Sequence, residues 1–301
     1  RHIFGEQYEL GMDYLQLLYL QPVQKLPILL LVSEERNTGK STFLNFLKAV
    51  FRNNVTFNTN EDFRSQFNAD WAGKLVIVVD EVLLNRREDS ERLKNLSTTL
   101  SYKVEAKGKD RDEIAFFAKF VLCSNNESLP VIIDPGETRY WVRKIHSLES
   151  DDTNFLQKLT AEIPAFLYFL QHRQLTTRQE SRMWFSPKLT ETPALLRIIR
   201  CNRGKHEVEV MELIREIMDN VRIDSLSFCL NDLLNLLNLS GIKIEKHHLR
   251  RIVTESWKLA PAPNGLTYTT YQFDYNRDCR FAPIRRVGRF YTISRSLLDE
   301  L

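Results

Sequence analysis

The stretch LVSEERNTGKSTFLNFL, Leu31 to Leu47, decides the fold of this chain. The apolar run LPILLLVS, Leu26 to Ser33, has the length and continuity of a strand buried on both faces of an α/β sheet. A polar loop follows it, and STFLNFLKAVF then has the spacing of an amphipathic helix. A strand that leads through a polar, lysine-containing loop into a helix is typical of phosphate binding.

The loop matches the second half of the G-x-x-x-x-G-K-[ST] phosphate-loop pattern. Gly39 allows backbone N–H groups to turn toward phosphate oxygens, Lys40 supplies a cation for the β- and γ-phosphates, and Ser41 offers a hydroxyl to Mg²⁺. The position five residues before Gly39, normally glycine, is Glu34, so the entry into the loop departs from the pattern. The residues expected to bind the nucleotide are Asn37, Thr38, Gly39, Lys40, Ser41 and Thr42.

A second apolar run, KLVIVVDEV from Lys74 to Val82, ends in two acids. We expect Asp80 to bind Mg²⁺ together with Ser41, and Glu81 to polarise the attacking water as a general base. One solvated acid after a core strand is common, but an acid pair combined with a phosphate loop is more specific. The two features together predict an enzyme that hydrolyses ATP with Mg²⁺ as cofactor.

A third apolar run, AKFVLCSNN, ends in two amides, and TRYWVRKIH predicts a fourth strand. An amide at the tip of the strand beside the catalytic one can contact the γ-phosphate and the attacking water. Asn125 is the candidate and Asn126 the alternative, while a turn that merely closes the strand is the competing interpretation. Several buried strands with intervening helices predict an α/β fold with a mostly parallel sheet, which binds ligands at the carboxyl ends of its strands.

Between the acid pair and the third run, SYKVEAKGKDRDEIAFFAKF reads as a hairpin. Lys107 and Lys109 stand at or near its tip. Lysines on a projecting hairpin can replace the counterions of nucleic-acid phosphates, so these two residues are candidates for nucleic-acid binding. A solvated turn is the alternative.

The order of these motifs resembles that of superfamily 3 helicases, and most closely the primase-helicase proteins of phages, plasmids and large DNA viruses. SEERNTGKST, VIVVDE, the KGKD hairpin, KFVLCSNNESLP and DPGETRYWVRKI stand in the order of the Walker A, Walker B, B-prime, sensor-1 and arginine-finger elements of that family. The resemblance covers Tyr8 to His146 and fades after about residue 195. ETRYW lacks the paired arginines that are often found in the last element.

The resemblance implies an AAA+ ATPase core that assembles as a ring, usually a hexamer, around single-stranded DNA, with ATP between subunits. Arg139 would be the finger that reaches the neighbour's site and stabilises charge on the γ-phosphate, and Arg143 is the rival candidate. Pairing of the arginine with Glu137 is the structural alternative. Lys107 and Lys109 would line the central pore. A primase domain in a preceding part of the protein and a location in the bacterial host cytoplasm are also implied.

The predicted organisation has four parts, and the character of the sequence changes after about residue 149. Helix, helix and hairpin patterns near the end suggest a winged helix, in which HHLRRIVTESW is a candidate recognition helix. His248, Arg250 and Arg251 would face phosphates, with the arginine-rich stretch 277–295 as the wing. Docking of this unit on a partner or on the missing N-terminal part is the alternative. The parts are an N-terminal helical segment, 1–25, a P-loop AAA+ core, 26–148, a helical connector, 149–220, and a winged-helix-like domain, 221–301.

The composition of the chain limits the other classes of protein to which it could belong. The chain has 301 residues with 43% hydrophobic and 27% charged residues, which is ordinary for a globular protein of two domains. A net charge of +3 does not by itself argue for nucleic acid, and no run of about 18 apolar residues predicts a membrane-spanning helix. The four cysteines are scattered, which predicts neither a disulfide nor a zinc framework. The start at Arg1 suggests a piece of a longer polypeptide.

The leading hypothesis is an ATP-hydrolysing motor that translocates on single-stranded DNA and unwinds duplex, as the helicase part of a mobile-element replication protein. The alternative is an ATP-switched DNA-binding or assembly module without helicase activity. A phosphate-loop kinase is disfavoured, because the acid pair suits activation of water.

Overall fold

The computed structural model describes residues 1–65, 69–104, 112–150, 152–274 and 280–301. The chain divides into two compact units, Arg1–Asn202 and Arg203–Leu301. Among the described residues, no helix combines the length and the apolar character that crossing a bilayer requires.

A five-stranded parallel sheet lies at the centre of the first unit. Its strands are β1 (Ile28–Val32), β2 (Val55–Asn58), β3 (Val76–Val79), β6 (Lys119–Ser124) and β7 (Tyr140–Lys144). They are ordered β2-β3-β6-β1-β7, and every neighbouring pair is parallel. The sheet confirms the predicted α/β fold with a mostly parallel sheet. β2 is an addition to the four strands that the sequence predicted.

Helices pack on both faces of this sheet, because β1 buries side chains in both directions. Leu29 and Leu31 join a hydrophobic cluster with residues of α1 (Tyr8–Leu20) and α2 (Lys40–Phe51). Leu30 and Val32 join a second cluster with residues of α4 (Arg87–Thr98) and α8 (Pro193–Cys201). This alternation is the two-residue period of a strand, and it explains the unbroken apolar run in the sequence. The helices of this unit are α1 (Tyr8–Leu20), α2 (Lys40–Phe51), α3 (Asn60–Arg64), α4 (Arg87–Thr98), α5 (Phe155–Ala161), α6 (Ile163–His172), α7 (Pro187–Thr190) and α8 (Pro193–Cys201).

An antiparallel pair, β4 (Ser101–Val104) and β5 (Asp112–Ala115), lies between α4 and β6 in the chain. These strands correspond to the two arms of the predicted basic hairpin. Lys107 and Lys109, which the sequence places at its tip, lie outside the described residues.

The second unit has its own hydrophobic core, which includes Ile214, Phe228, Leu237, Val253 and Ile293. β9 (Leu266–Phe273) pairs with β10 (Phe281–Gly288), and β8 (Ser225–Phe228) pairs with β11 (Tyr291–Ser294), both antiparallel. α9 (Lys205–Val221) lies in this unit, although the sequence placed it in the connector. The winged helix remains a prediction. The elements are α9 (Lys205–Val221), β8 (Ser225–Phe228), α10 (Leu230–Leu239), α11 (Lys246–Arg251) with a following π-helical turn (Ile252–Ser256), β9 (Leu266–Phe273), β10 (Phe281–Gly288), β11 (Tyr291–Ser294) and α12 (Arg295–Glu300).

Candidate functional site

A cleft of about 420 Å³ opens at the carboxyl edge of the parallel sheet, where β1, β3 and β6 end. Its volume falls within the range of small-molecule sites in proteins. The cleft brings together all six loop residues predicted to bind nucleotide, the acid pair and the first of the two amides. Its lining residues are Glu35, Arg36, Asn37, Thr38, Gly39, Lys40, Ser41, Thr42, Asp80, Glu81, Ser124 and Asn125.

The loop turns into α2 at Gly39, whose φ of +74° lies in the left-handed region. A Cβ added there would meet Leu148 Cδ1 at 3.7 Å, which is an ordinary contact, so the backbone angle and not space requires glycine. α2 begins at Lys40, and the N–H groups of its first turn have no partner within the helix. The cleft therefore receives the positive end of a helix, which favours an anion.

Two contacts from distant parts of the chain hold the loop. The Leu148 N–H donates to the Asn37 carbonyl oxygen at 2.9 Å, and His2 Nε2 lies 3.1 Å from the Thr38 carbonyl oxygen. Asn37 has a φ of +53°, a conformation that asparagine tolerates better than most residues. The loop is thus held in place before any ligand binds.

Lys40 is a buried cation, with 7% of its surface exposed. Its Nζ donates to Thr38 Oγ1 at 3.0 Å, and no described carboxylate lies within ion-pair distance of it. Burial lowers the pKa of Lys40, an effect that the neighbouring Cys123, Asp80 and Glu127 oppose. A bound phosphate would supply the missing counter-charge at close range.

The residues predicted to bind Mg²⁺ lie side by side. Ser41 Oγ donates to Asp80 Oδ2 at 3.1 Å. No three His, Cys, Asp or Glu side chains among the described residues cluster into a protein-only metal site. A hydroxyl and one carboxylate suit Mg²⁺, which usually keeps several waters and takes further oxygens from substrate phosphates.

Glu81 lines the cleft with its backbone in the left-handed region, at a φ of +53°. Asn60 maintains this conformation, because its Nδ2 donates to the Glu81 carbonyl oxygen at 3.1 Å and its Oδ1 accepts from the Leu83 N–H at 2.9 Å. Asp80 Oδ1 also accepts from the Glu81 N–H at 3.0 Å. Left-handed backbone is unfavourable for glutamate, and these main-chain bonds hold Glu81 in that conformation at the cleft.

The structure separates the two amides that the sequence left as alternatives. Asn125 is exposed and lines the cleft. Asn126 Oδ1 instead accepts from the Ser128 N–H at 2.9 Å and from the Leu129 N–H at 2.8 Å, so this side chain closes the turn after β6. The geometry therefore brings Asn125, and not Asn126, to the acids.

Neither candidate arginine lines the cleft of its own chain. Arg139 precedes β7, and its carbonyl oxygen accepts from the Ile28 N–H at 2.8 Å, which places it at the amino edge of the sheet. Its Nη1 lies 2.7 Å from Glu137 Oε2, the alternative pairing considered above. Arg143 has 7% of its side chain exposed, and its Nη1 bonds Glu6 Oε1 at 2.7 Å and Gln7 Oε1 at 2.8 Å.

Sequence reasoning missed three residues that shape the site: Asn60, Glu127 and Arg197. Asn60 lies two residues after β2, a strand that the sequence did not predict, so nothing in the sequence indicated its contact with Glu81. Glu127 stands one residue beyond the amide pair, and an acid at that place was a usable signal. Arg197 is 163 residues from its partner Glu34, and only the folded chain relates them.

The parallel sheet, the glycine turn before α2 and the cleft beyond the strand ends together define an α/β protein with a ligand-sized cleft at the carboxyl edge of its sheet. A family profile described as a family of unknown function (DUF5906) matches residues 31–140. No curated protein matches the chain.

Two solved structures share the fold of the chain, and a third has a weaker similarity to it. The apo structure of the NrS-1 C-terminal region (305–718) matches with a TM-score of 0.66 and 17% identity, over 96% of this chain and 73% of that one. Its A form matches with a TM-score of 0.65 and 16% identity, over 97% and 73%. The X-ray structure of JCV Helicase gives a TM-score of 0.35 and 16% identity, over 69% and 63%.

Proposed function

We propose that this chain is an ATP-hydrolysing motor that translocates on single-stranded DNA and unwinds duplex, as the helicase part of a mobile-element replication protein in a bacterial host. One observation carries the ATPase part of this proposal: the phosphate loop, the acid pair and Asn125 line a single cleft. The motif order described above supports the motor and its substrate.

Each residue has a role in ATP hydrolysis that its position permits. Lys40 and the N–H groups at the start of α2 bind the β- and γ-phosphates. Ser41 and Asp80 hold Mg²⁺, which neutralises phosphate charge when bound. Glu81 accepts the proton of the attacking water as its oxygen approaches the γ-phosphorus, and Asn125 orients that water.

We further propose that several copies of the chain assemble as a ring, which in superfamily 3 helicases usually has six subunits. Arg139 precedes β7 at the sheet edge opposite the cleft, so it can serve only the cleft of a neighbouring copy. There it would stabilise the charge that develops on the γ-phosphate. Lys107 and Lys109 would contact single-stranded DNA in the centre of the ring, and a primase domain would lie in a preceding part of the protein.

The test is the ATPase rate of the wild type and of Glu81→Gln, each with and without single-stranded DNA. We expect DNA to raise the wild-type rate, and Glu81→Gln to lower it by roughly 10²- to 10⁴-fold while ATP still binds. Glu88→Gln, at an exposed acid of α4, is the matched control. Hydrolysis that ignores DNA would exclude the motor, and undiminished hydrolysis in Glu81→Gln would exclude this residue as the base.

A second candidate function is an ATP-switched DNA-binding or assembly module that acts through the second unit. Lys246, Arg250 and Arg251 on α11 are exposed, and none of them forms an ion pair with a described residue. His248, proposed with them, is half-buried, with its ring 5.5 Å from that of His206. Unpaired cations on an exposed helix fit a phosphate backbone.

Unwinding assays separate the two functions. If the chain is an ATP-switched module, DNA binding should depend on ATP and should not separate the strands. The double variant Arg250→Ala, Arg251→Ala should then bind DNA more weakly. The motor predicts strand separation that Glu81→Gln abolishes. Strand separation by the wild type would therefore exclude the module.

A further inference from the structure

Glu34 occupies the loop position that the phosphate-loop pattern gives to glycine, and two distant residues hold it. The Glu34 N–H donates to Glu127 Oε1 at 3.1 Å, and Glu34 Oε1 lies 3.1 Å from Arg197 Nη2. Glu127 follows the amide pair after β6, whereas Arg197 lies in the middle of α8. The φ of Glu34 is outside the left-handed region, so its backbone does not need glycine.

Glu127 is a buried carboxylate with 3% of its side chain exposed. Its Oε2 lies 2.8 Å from Arg197 Nη1 and 3.0 Å from Lys144 Nζ, which leaves Oε1 for the Glu34 N–H. Burial by itself raises the pKa of Glu127, but the bonds from Lys144 and Glu34 and the charge of Arg197 lower it overall. The carboxylate is therefore charged and held by three partners.

Arg197 bridges two carboxylates with separate nitrogens, Nη1 to Glu127 and Nη2 to Glu34. A carboxylate at the entry of a phosphate loop repels an incoming triphosphate, and this repulsion grows as the charge of the ligand increases. Lys144 contacts the same oxygen of Glu127 as Arg197, so the group contains two acids and two cations. Arg197 thus offsets the charge that Glu34 brings to the loop.

We propose that Glu127 and Arg197 together replace the missing glycine of the phosphate loop. Glu127 is a positioning residue that fixes the entry of the loop through the Glu34 N–H. Arg197 shields the bound triphosphate from the Glu34 carboxylate. This inference rests on the proposed function, because it requires that the cleft binds ATP.

The first test measures the Kd of fluorescently labelled ATP and ADP for Arg197→Ala. We expect ATP to bind roughly tenfold more weakly, and ADP to lose less because it carries less charge. Adding Glu34→Gly to Arg197→Ala should restore most of the affinity, since the uncompensated carboxylate is then gone. Arg200→Ala, at another exposed arginine of α8, is the matched control.

Two results would overturn the shielding role. One is an Arg197→Ala protein that binds both nucleotides like Arg200→Ala. The other is a loss that Glu34→Gly does not relieve, because a purely structural role of Arg197 predicts equal losses for ATP and ADP and no rescue.

The second test compares Glu127→Gln with Glu127→Ala. The glutamine keeps an oxygen that accepts the Glu34 N–H, whereas alanine removes it. We expect the KM for ATP to rise more in Glu127→Ala than in Glu127→Gln, with a smaller change in kcat. Equal KM values in the wild type and both variants would overturn the positioning role.

Failure of this inference is distinguishable from failure of the proposed function. A wild-type protein that does not bind ATP contradicts the proposed function itself. A wild type that binds ATP, with variants at Glu127 and Arg197 that bind it equally well, contradicts only the replacement of the glycine. If Glu127→Ala does not fold, the inference is decided by comparing the ATP affinity of Arg197→Ala with that of the double variant Arg197→Ala, Glu34→Gly.

Discussion

Ser41 and Asp80 are joined by a hydrogen bond of 3.1 Å from Oγ to Oδ2. The bond connects the first turn of α2 with the end of β3, two elements that are separated by β2 and α3 in the chain. It brings a hydroxyl and a carboxylate, two kinds of oxygen ligand that suit Mg²⁺, within hydrogen-bond distance of each other. The phosphate loop and the acid pair therefore belong to one site.

Replacing Asp80 by asparagine should raise the Mg²⁺ concentration needed for half-maximal ATPase activity by at least roughly tenfold, because a neutral amide is a poorer ligand for a hard cation. The unfolding free energy should change little, since Asp80 is half-buried and both its partners, the Ser41 hydroxyl and the Glu81 N–H, are neutral. Titration of activity with Mg²⁺ measures the effect, with Asp152→Asn as an exposed control. An unchanged Mg²⁺ dependence would contradict the assignment.

Asn125 and Asn126 form a matched pair of test positions. Asn125→Ala should lower kcat by roughly 10- to 100-fold at unchanged stability, because the side chain contacts the cleft and not the protein core. Asn126→Ala should lower the unfolding free energy by about 1–2 kcal/mol, because two backbone N–H groups lose their acceptor. Thermal melting and steady-state ATPase assays on both variants measure this, and the reverse pattern would exchange their roles.

The sheet was predictable because most of its strands are apolar on both faces. Leu29 and Leu31 pack on one side of β1 while Leu30 and Val32 pack on the other, so periodicity and length coincide. β2 escaped prediction since VTFN is only four residues long and lies at the edge of the sheet, where one of its side chains, Phe57, is exposed. Short edge strands carry little hydrophobic signal.

The candidate site was predictable where its residues follow strands directly. Asp80, Glu81 and Asn125 come after β3 and β6, and the ends of parallel strands meet at one edge. Asn60 and Arg197 join the site through tertiary packing, with partners 21 and 163 residues away. Spacing in one sequence contains no record of such pairs, so only the folded structure reveals them.

Arg139 is expected to act on a neighbouring copy, and mixing two inactive variants tests this. Arg139→Ala subunits keep an intact cleft, and Lys40→Ala subunits keep the arginine. When the two are mixed, some clefts with Lys40 face a subunit with Arg139, so part of the ATPase activity should return. Each variant alone is the control. Activity that stays at the level of the separate variants would argue against a role of Arg139 across subunits.

Arg143 should instead affect stability. Its side chain is buried and bonds Glu6 and Gln7, which anchor the segment before α1 to β7. Arg143→Ala should therefore lower the unfolding free energy by about 1–3 kcal/mol, whereas Lys40→Ala subunits should not rescue its activity in the mixing experiment. Denaturant unfolding measures the first effect. Rescue by mixing would reassign the finger to Arg143.

Lys119 and Lys25 are two buried lysines at the amino end of β6. Lys119 has 2% of its surface exposed and donates to the Pro22 carbonyl oxygen, and Lys25 Nζ donates to the Phe116 carbonyl oxygen at 2.7 Å. Burial lowers the pKa of Lys119 to about 7, with a further contribution from Lys25, and lowers the pKa of Lys25 to about 8. Stability should therefore depend on pH in the mildly alkaline range.

The direction in which the unfolding free energy changes with pH follows from the number of protons bound in the folded and unfolded states. A lysine in the unfolded chain keeps a pKa of about 10.4, so above about pH 7 the unfolded chain binds more protons than the folded one. The unfolding free energy should therefore rise between about pH 7 and pH 9, by at most about 1.4 kcal/mol per pH unit for each lysine. Urea unfolding across this range measures the slope. Lys119→Met should flatten it, and Lys25→Met should flatten it less. A slope that persists in Lys119→Met would show that the lysine keeps its charge in the folded protein.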